Sequence, residues 1–215
     1  MQLILWGRSS AYNVQKVLWT LAELGLSYEH IEVGGIPGQL DTPEFLAMNP
    51  HGRIPILADG VNVIWESNAI VRYLSAKYSA GSLWSVDPAE RSYADRWMDW
   101  ELATFQPDFL ALFWSFYRTP VAQRDQDVIQ NALARCERHF RQLDLHLGKQ
   151  AYLAGATFTM GDIPCATSLY RYFEMGVTVS ELPNVKAWYR RLTERQAYRK
   201  HIMIPFEDLR GRITF

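Results

Sequence analysis

The sequence predicts an α/β N-terminal domain with the element order β-α-β-α-β-β-α, followed by an all-α C-terminal domain. Up to residue 78, short apolar runs alternate with helical periodicity, and an Asp-Gly pair separates two of the runs. From Ala89 onward only helical patterns follow. The stretch 79–88 contains Ser, Gly and Pro, as linkers do. We therefore expect domains at residues 1–78 and 89–215, joined by a linker over 79–88.

The first domain opens with a β-α-β pattern. Residues 2–6 form a short apolar strand, and residues 13–24 carry apolar side chains at the spacing of one helical face. Gly25 predicts the end of this helix, because glycine readily adopts the left-handed conformation that follows a helix C-terminus. Residues 28–33 alternate apolar and polar side chains and form the second strand. We expect the crossover between the two strands to be right-handed.

A short helix, a hairpin and a closing helix complete this domain. Thr42 can cap the short helix, and Pro43 suits its first position. Asp59-Gly60 lies between two apolar runs, which is a strong hairpin signal. Those runs are residues 53–57 and 61–65. A helix over about 67–78 ends the domain.

The second domain shows helical periodicity that is interrupted by three prolines: Pro107, Pro120 and Pro164. Thr159 stands three residues before Asp162, which is the spacing of a capping box, and the apolar segment 163–172 follows. We expect a buried helix to begin there.

Composition narrows the range of functions. The net charge of −1 and the pI near 6.5 give no electrostatic reason for binding nucleic acid or an anionic membrane. The two cysteines, Cys136 and Cys165, have neither metal-ligand nor disulfide-framework spacing, so we expect no metal and a reducing, cytoplasmic location. The start of the sequence lacks a basic signal-peptide region, and no run approaches 18 apolar residues, so we expect no membrane span.

The pair Ile54-Pro55 is the first candidate binding element. If this bond is cis, the backbone N–H and C=O of Ile54 point outward and can pair with an extended peptide. An ordinary edge-strand proline is the alternative.

Three further polar residues could bind the ends of such a peptide. Ser67 at the strand-to-helix junction can cap the helix, whose free N–H groups favour a carboxylate, and Glu66 can pair with an ammonium group. Arg53, with His51, could face a second carboxylate. The alternatives are that Glu66 and Ser67 only cap the helix, and that Arg53 and His51 are only solvated charges of a loop. Together these residues would bind a short peptide with an amino-acid head.

Several segments resemble the glutathione transferases, of the serine type found in theta-like or bacterial classes. The segments are residues 13–26, 49–57, 65–74, 159–162 and 182–192. The resemblance implies a thioredoxin-like N-terminal domain, a cytosolic homodimer and glutathione as the co-substrate. It also implies that the enzyme stabilises the glutathione thiolate, which then attacks a small electrophile.

The sequence indicates less clearly which residue donates a hydrogen bond to the glutathione sulfur and lowers its pKa. In this family the donor is usually a tyrosine of the first strand, or a serine or cysteine just before the first helix. Here the strand carries Trp6, the loop has no cysteine, and Ala11 stands where serine-type members commonly have the catalytic serine. We therefore infer Ser10 as the donor and Ser9 as the second choice, unless both only form a turn. Tyr12 and Asn13 are supporting candidates.

Family members bind the electrophile between the domains. The resemblance places Tyr12, Trp114, Arg118 and the tail ending in Phe215 around it, which favours a flat apolar or aromatic compound. Arg118 and Arg72 could instead meet an acidic acceptor, or form ordinary helix-surface charges.

Three functions therefore stay open. The first is a glutathione transferase, with thiol-dependent peroxide reduction as a possible side activity. The second is a glutathione-dependent isomerase or lyase. The third is a non-catalytic binding protein, which Ala11 makes plausible.

Overall fold

A computed structural model describes residues 2–214. Its N-terminal part contains one four-stranded sheet with the order β2-β1-β3-β4. The strands are β1 (Leu3–Trp6), β2 (Tyr28–Ile31), β3 (Ile56–Asp59) and β4 (Asn62–Trp65). Strand β1 runs parallel to β2 and antiparallel to β3, and β3 pairs antiparallel with β4. The predicted order β-α-β-α-β-β-α is confirmed.

Helices cover both faces of the sheet. Helices α1 (Tyr12–Glu23) and α3 (Ser67–Tyr78) pack together on the face that carries Leu5 and Leu57. Helix α2 (Pro43–Met48) packs Phe45 against Ile56 on the other face. Because neighbouring residues of a strand point to opposite faces, Ile56 and Leu57 serve the two layers in turn.

The C-terminal half is helical. Its helices are α4 (Pro88–Trp100), α5 (Gln106–Leu112), α6 (Gln126–Leu147), α7 (Asp162–Thr167), α8 (Leu169–Glu174), α9 (Pro183–Thr193) and α10 (Gln196–His201). Short 3₁₀ turns occur at Val121–Gln123 and Glu207–Leu209. Over residues 89–214 the only β-type pairing is an isolated bridge between Tyr152 and Gly155.

The structure corrects the expected break at Pro107. The backbone stays helical from α4 to Arg118, with π-helical turns at Glu101–Phe105 and Phe113–Arg118. Proline lacks the N–H that an α-helix needs four residues after its partner carbonyl, and the wider turn just before it accommodates the missing bond. Pro164 also lies inside a helix, in the first turn of α7, where a proline leaves no bond unmade.

Other boundaries also shift. Strand β3 begins at Ile56 instead of residue 53, because Pro55 has no N–H to donate to the ladder. Strand β2 ends at Ile31 instead of residue 33. The hairpin turn falls after Asp59, which pairs with Asn62 as the last strand residue. Thr42 does cap α2, since its side chain accepts a hydrogen bond from the N–H of Phe45.

Helix α1 belongs to both halves of the molecule. One side faces the sheet, and the other carries Trp19, which is fully buried against Phe158 and Tyr198 of the helical half. The two cores therefore meet along this helix.

Candidate functional site

A small cleft lies where β3, β4 and the start of α3 meet. We call it the peptide cleft, and its lining residues are Asn13, Asn49, Arg53, Ile54, Pro55, Glu66 and Ser67. Of the two alternatives left open by the sequence, the structure shows the first, because the Ile54–Pro55 bond is cis. Within residues 2–214, the backbone N–H and C=O of Ile54 have no hydrogen-bond partner. A peptide backbone laid beside Ile54 would satisfy both groups.

The junction between β4 and α3 differs from the prediction in one respect. Ser67 is the first helical residue and is not the cap, because Glu66 occupies the capping position, where its carboxylate makes no capping hydrogen bond. The first N–H groups of α3 are therefore not capped by a carboxylate or hydroxyl and can bind an anion. Ser67 is buried, whereas Glu66 is exposed and able to meet a positive charge in solvent.

Glu66 also has an unusual backbone. Its φ is 69° and its ψ is 115°, in the region that residues other than glycine rarely adopt. Such a conformation costs roughly 1–3 kcal/mol and is found mainly at functional sites. Here it turns the backbone sharply from β4 into α3, so that Glu66 and Ser67 stand together at the cleft.

Asn49, which was not among the predicted site residues, holds the loop opposite. Its amide donates to the C=O of Arg53 (2.9 Å) and accepts from the N–H of His51 (3.1 Å). Arg53 is exposed at the cleft, where it can reach a carboxylate. His51 lies outside the lining and packs the edge of its ring against Trp65, with 5.2 Å between the ring centroids.

A second cavity, of about 190 Å³, lies between the two halves and is called the inter-domain cavity. Its lining residues are Arg8, Ser10, Ala11, Tyr12, Asn13, Ile54, Leu110, Phe113, Trp114, Arg118, Arg171 and Leu209. It shares Asn13 and Ile54 with the peptide cleft. A thiol on a residue paired with Ile54 would therefore sit at the junction of the two.

The residues that could donate a hydrogen bond to a bound thiolate occupy different places. Ser10 lines the inter-domain cavity, and its C=O accepts a hydrogen bond from Arg171 (2.7 Å). Ser9 is exposed, does not line the cavity, and donates its N–H to Glu32. Ala11 occupies the capping position of α1 and has no polar atom to cap that end. Asn13 lines both spaces, which makes it a stronger candidate than its sequence position suggests.

The role expected for the hydroxyl of Tyr12 is corrected by its hydrogen bonds. This hydroxyl donates into the protein interior, to Glu101 at 3.0 Å, and also approaches the C=O of Pro164 at 3.4 Å. Burial and the neighbouring Glu101 raise the pKa of Tyr12 well above its usual value. Only the ring of Tyr12 is left to line the cavity.

The same carboxylate binds a buried lysine. Lys16 on α1 donates to both oxygens of Glu101 at 3.0 Å and to the amide oxygen of Gln106 at 2.8 Å. Both charged groups are fully buried. Burial lowers the pKa of Lys16, and Glu101 opposes that effect. The ion pair joins α1 of the N-terminal half to Glu101 of the helical half, one helical turn after Tyr12.

Two arginines that sequence reasoning did not place complete the cavity wall. Arg171 reaches across from α8 to the loop before α1, and Arg8 lies in that loop. Arg118 was expected here, and it lies over the ring of Trp114 at 4.1 Å. Arg72, the alternative partner for an acidic acceptor, is instead paired with Asp95 and Asp99 on α4. Phe215 lies outside the described residues.

Three further observations concern the described residues. Over residues 2–214 there is no group of three His, Cys, Asp or Glu side chains that could hold a metal ion. In the same range no helix combines the length and the apolar character that crossing a bilayer requires. A larger cleft of about 620 Å³ lies between α1 and α9–α10, where Glu23 and Arg195 pair with each other.

Known proteins identify the fold and the family. The N-terminal domain model of the glutathione S-transferases matches residues 1–76, and the C-terminal domain model matches residues 102–196. The chain therefore belongs to the glutathione S-transferase family. This is the class that the peptide cleft and the inter-domain cavity define, so the resemblance and the two-part fold predicted from the sequence are confirmed.

Individual relatives agree over nearly the whole sequence. Glutathione S-transferase GstB of Escherichia coli is 43% identical, with 94% of this chain and 99% of the relative covered. Glutathione S-transferase 3 of Zea mays is 34% identical, with 93% of each covered. The crystal structure of a theta class glutathione S-transferase from Xanthomonas axonopodis pv. citri, with glutathione bound, is 47% identical with a TM-score of 0.90, covering 94% of this chain and 98% of that one.

Proposed function

We propose that this chain is a glutathione transferase that binds glutathione in the peptide cleft and adds its thiolate to an electrophile in the inter-domain cavity. The observation that carries the proposal is the wall shared by the two spaces, where Asn13 stands beside the unpaired backbone of Ile54. The relatives named glutathione S-transferase support the same reaction.

Each part of glutathione has a group to meet it. The cysteinyl unit pairs with the backbone of Ile54, the γ-glutamyl carboxylate meets Ser67 and the first N–H groups of α3, and its ammonium meets Glu66. Arg53 meets the glycine carboxylate, with His51 behind it. The cleft encloses only about 60 Å³, so the peptide lies extended along its surface.

The start of α1 stabilises the thiolate. A cysteine thiol titrates near 8.5, and bringing most of it to thiolate at pH 7 takes about two pKa units, or ~2.7 kcal/mol. The uncapped N–H groups of α1 and one hydrogen bond to the charged sulfur, ~1.5–3 kcal/mol, are sufficient. We assign that bond to the amide of Asn13 or the hydroxyl of Ser10, which both line the cavity.

Substituting the two donors in turn tests the assignment. Asn13→Ala and Ser10→Ala are compared by the ultraviolet absorbance of bound thiolate against pH and by turnover with 1-chloro-2,4-dinitrobenzene. Loss of the true donor raises the pKa of the bound thiol and lowers turnover at least about tenfold, with little change in glutathione affinity. Asn131→Ala, on the exposed face of α6, is the matched control. If neither variant changes the titration, Ser9→Ala is the next test, and an unchanged titration there too contradicts a hydroxyl or amide donor.

The non-catalytic alternative has one observation in its favour, which is Ala11 at the capping position. Elongation factor 1-gamma 2 of Oryza sativa, 28% identical and covered over 48% of its length, shows that a similar sequence also occurs within a protein of another name. Binding to immobilised glutathione without any conjugation would select this alternative.

The assembly and location belong to the same proposal. We propose domains at 1–78 and 89–215 with a linker over 79–88, a homodimer, and a cytoplasmic location. Cys136 and Cys165 are both free and buried, which suits a reducing compartment. Light scattering coupled to gel filtration measures the dimer directly.

A further inference from the structure

One arginine of the helical half holds the loop that precedes α1. Arg171 lies on α8, 161 residues away from Ser10, and its Nη2 donates to the C=O of Ser10 (2.7 Å) and to the amide oxygen of Gln15 (3.0 Å). Its Cζ also lies 5.4 Å from the ring centroid of Phe113 and 5.9 Å from that of Phe206. Because Arg171 is only 5% exposed, water competes little for these contacts, and the orientation of the side chain is fixed.

The loop has no capping side chain of its own to fix its entry into the helix. Ala11 occupies the capping position of α1, and its side chain makes no capping hydrogen bond. Both polar atoms of the peptide group that joins Ser10 to Ala11 are nevertheless used. Its N–H donates to the C=O of Arg8 (2.9 Å), and its C=O accepts from Arg171. Arg171 therefore supplies, from the other half of the molecule, the anchor that a capping side chain would normally provide.

The anchored loop leads into the residues to which we assign the hydrogen bond to the thiolate. Ser10 lies in the loop itself, Asn13 follows in the first turn of α1, and both line the inter-domain cavity. Hydrogen bonds weaken steeply when donor and acceptor turn away from each other, and a misplacement of about 1 Å can cost a large factor in rate. A shift of the peptide group at Ser10 would therefore move these donors away from the sulfur.

Arg171 keeps its donors throughout the pH range in which a thiol titrates. Burial lowers the pKa of Arg171 to about 10; Tyr12 opposes that effect, Arg8 and Arg118 add to it, and Asp208, which is exposed, opposes it. This pKa lies above that of a cysteine thiol, which is near 8.5, so the guanidinium stays protonated while the thiol ionises.

We propose that Arg171 is a positioning residue for the transfer reaction, which holds the C=O of Ser10 and so keeps the start of α1 turned toward the glutathione sulfur. This inference rests on the proposed transferase function and adds to it a residue that acts on the sulfur through the loop.

Gln15 is the second member of this contact. Its amide oxygen accepts from Nη2 of Arg171, and its NH₂ group donates to the C=O of His201 (3.0 Å). Gln15 is buried and lines neither the peptide cleft nor the inter-domain cavity. A substitution of Gln15 therefore loosens Arg171 without entering either space.

Two measurements on wild type, Arg171→Met and Arg171→Lys test the proposal. The first is the ultraviolet absorbance of bound thiolate against pH. The second is kcat/KM for 1-chloro-2,4-dinitrobenzene at saturating glutathione, over the same pH range. In that reaction the sulfur forms a bond to the ring carbon that bears chlorine, chloride leaves with the bonding electron pair, and the thiol proton passes to solvent.

We expect the pKa of the bound thiol to rise by about one unit in Arg171→Met and by less in Arg171→Lys, whose ammonium can still donate to Ser10. From a wild-type value of roughly 6.5, a rise of one unit lowers kcat/KM about fivefold near pH 6.5 but less than about twofold near pH 9, where the thiol ionises without help. A purely structural role would lower kcat/KM by the same factor at every pH.

Arg195→Met is the matched control, because Arg195 is also an arginine of the helical half that contacts α1. Its Nε and Nη2 donate to the two carboxylate oxygens of Glu23 (2.8 and 2.7 Å), at the end of α1 opposite Ser10. Losing this contact should lower the free energy of unfolding and leave the pKa of the bound thiol unchanged.

Gln15→Met should raise the pKa of the bound thiol by less than Arg171→Met does. The double variant of Gln15 and Arg171 should match Arg171→Met alone, because both substitutions act through one contact. Shifts that simply add would overturn this shared contact as the route to the sulfur.

The outcomes separate this inference from the proposed function. An unchanged thiol pKa in Arg171→Met, or an equal loss of kcat/KM at every pH, overturns the positioning role and leaves the transferase function standing. A wild-type protein that binds glutathione without lowering the pKa of its thiol overturns both proposals. If Arg171→Met does not fold, Arg171→Lys and Gln15→Met provide the same test.

Discussion

At the residue scale, the unusual feature is a fully buried ion pair between α1 and the helical half. Lys16 and Glu101 are fully buried, and Tyr12 and Gln106 complete the hydrogen bonding around them. Burying two charges costs several kcal/mol, and the attraction between them recovers that cost only when all the donors are used. The pair therefore contributes more to fixing the geometry than to net stability.

Removing one charge of this pair should strongly destabilise the folded protein. Glu101→Gln leaves the Lys16 ammonium buried without its counter-charge and should lower the free energy of unfolding by about 3–5 kcal/mol. Urea denaturation measures the loss. The double variant Lys16→Met with Glu101→Leu should recover much of it, because an apolar pair needs no solvation. A loss below about 1 kcal/mol in Glu101→Gln would show that water reaches Lys16.

At the element scale, the start of α7 shows what a local motif specifies. The capping box read from Thr159 and Asp162 is only partly formed: Thr159 donates its N–H to Asp162 (2.9 Å), but its own hydroxyl accepts from Gly161. Asp162 also accepts from the N–H of Leu153 and the indole N–H of Trp188. The motif predicted the helix start, whereas these two distant partners have no local signal.

Asp162 should therefore contribute strongly to the stability of the helical half. Asp162→Asn replaces one acceptor oxygen by an NH₂ group that faces N–H donors, and should cost about 2–3 kcal/mol in unfolding free energy. Asp127→Asn, at an exposed position in the first turn of α6, should stay within about 0.5 kcal/mol. Equal stability of the two variants in urea would show that the Asp162 bonds are not needed.

At the scale of the whole molecule, the sequence predicted what local patterns encode. The strand and helix order and most of the residues that line the peptide cleft follow from periodicity and short motifs near one another in the sequence, whereas the isomer of the Ile54–Pro55 bond was left open. Arg171 could not be found this way, because it meets Ser10 across 161 residues. The predicted start of β3 was wrong because Pro55 cannot join the ladder and delays the strand to Ile56, whereas the predicted break at Pro107 was wrong because the π-helical turn before that proline accommodates it.

The docking of α10 on α1 gives the molecule a pH dependence. Burial, with Lys200 and His30 nearby, lowers the pKa of His201 to about 4, below the value near 6.5 of an unfolded histidine. The folded state therefore binds fewer protons between these values, so stability present above pH 6.5 is lost as pH falls toward 4.

Thermal unfolding should show this contribution. Between pH 7 and pH 5 the wild-type Tm should fall about 2–4 °C more than that of His201→Gln, which corresponds to roughly 1 kcal/mol after allowing for partial exposure. His51→Gln, an exposed histidine, serves as the control. Parallel Tm curves for wild type and His201→Gln would contradict the assignment.

The position of α1 between the two cores has a consequence for recombination between relatives. A chimera that takes residues 1–78 from one family member and the remainder from another would bring together faces shaped for different neighbours. To preserve the contact between the halves, the chimera would have to take Lys16, Trp19 and Tyr12 from the same parent as the residues they contact. Those residues are Glu101, Phe158 and Tyr198. Inheritance of the two halves is thus tied together even though each has its own architecture.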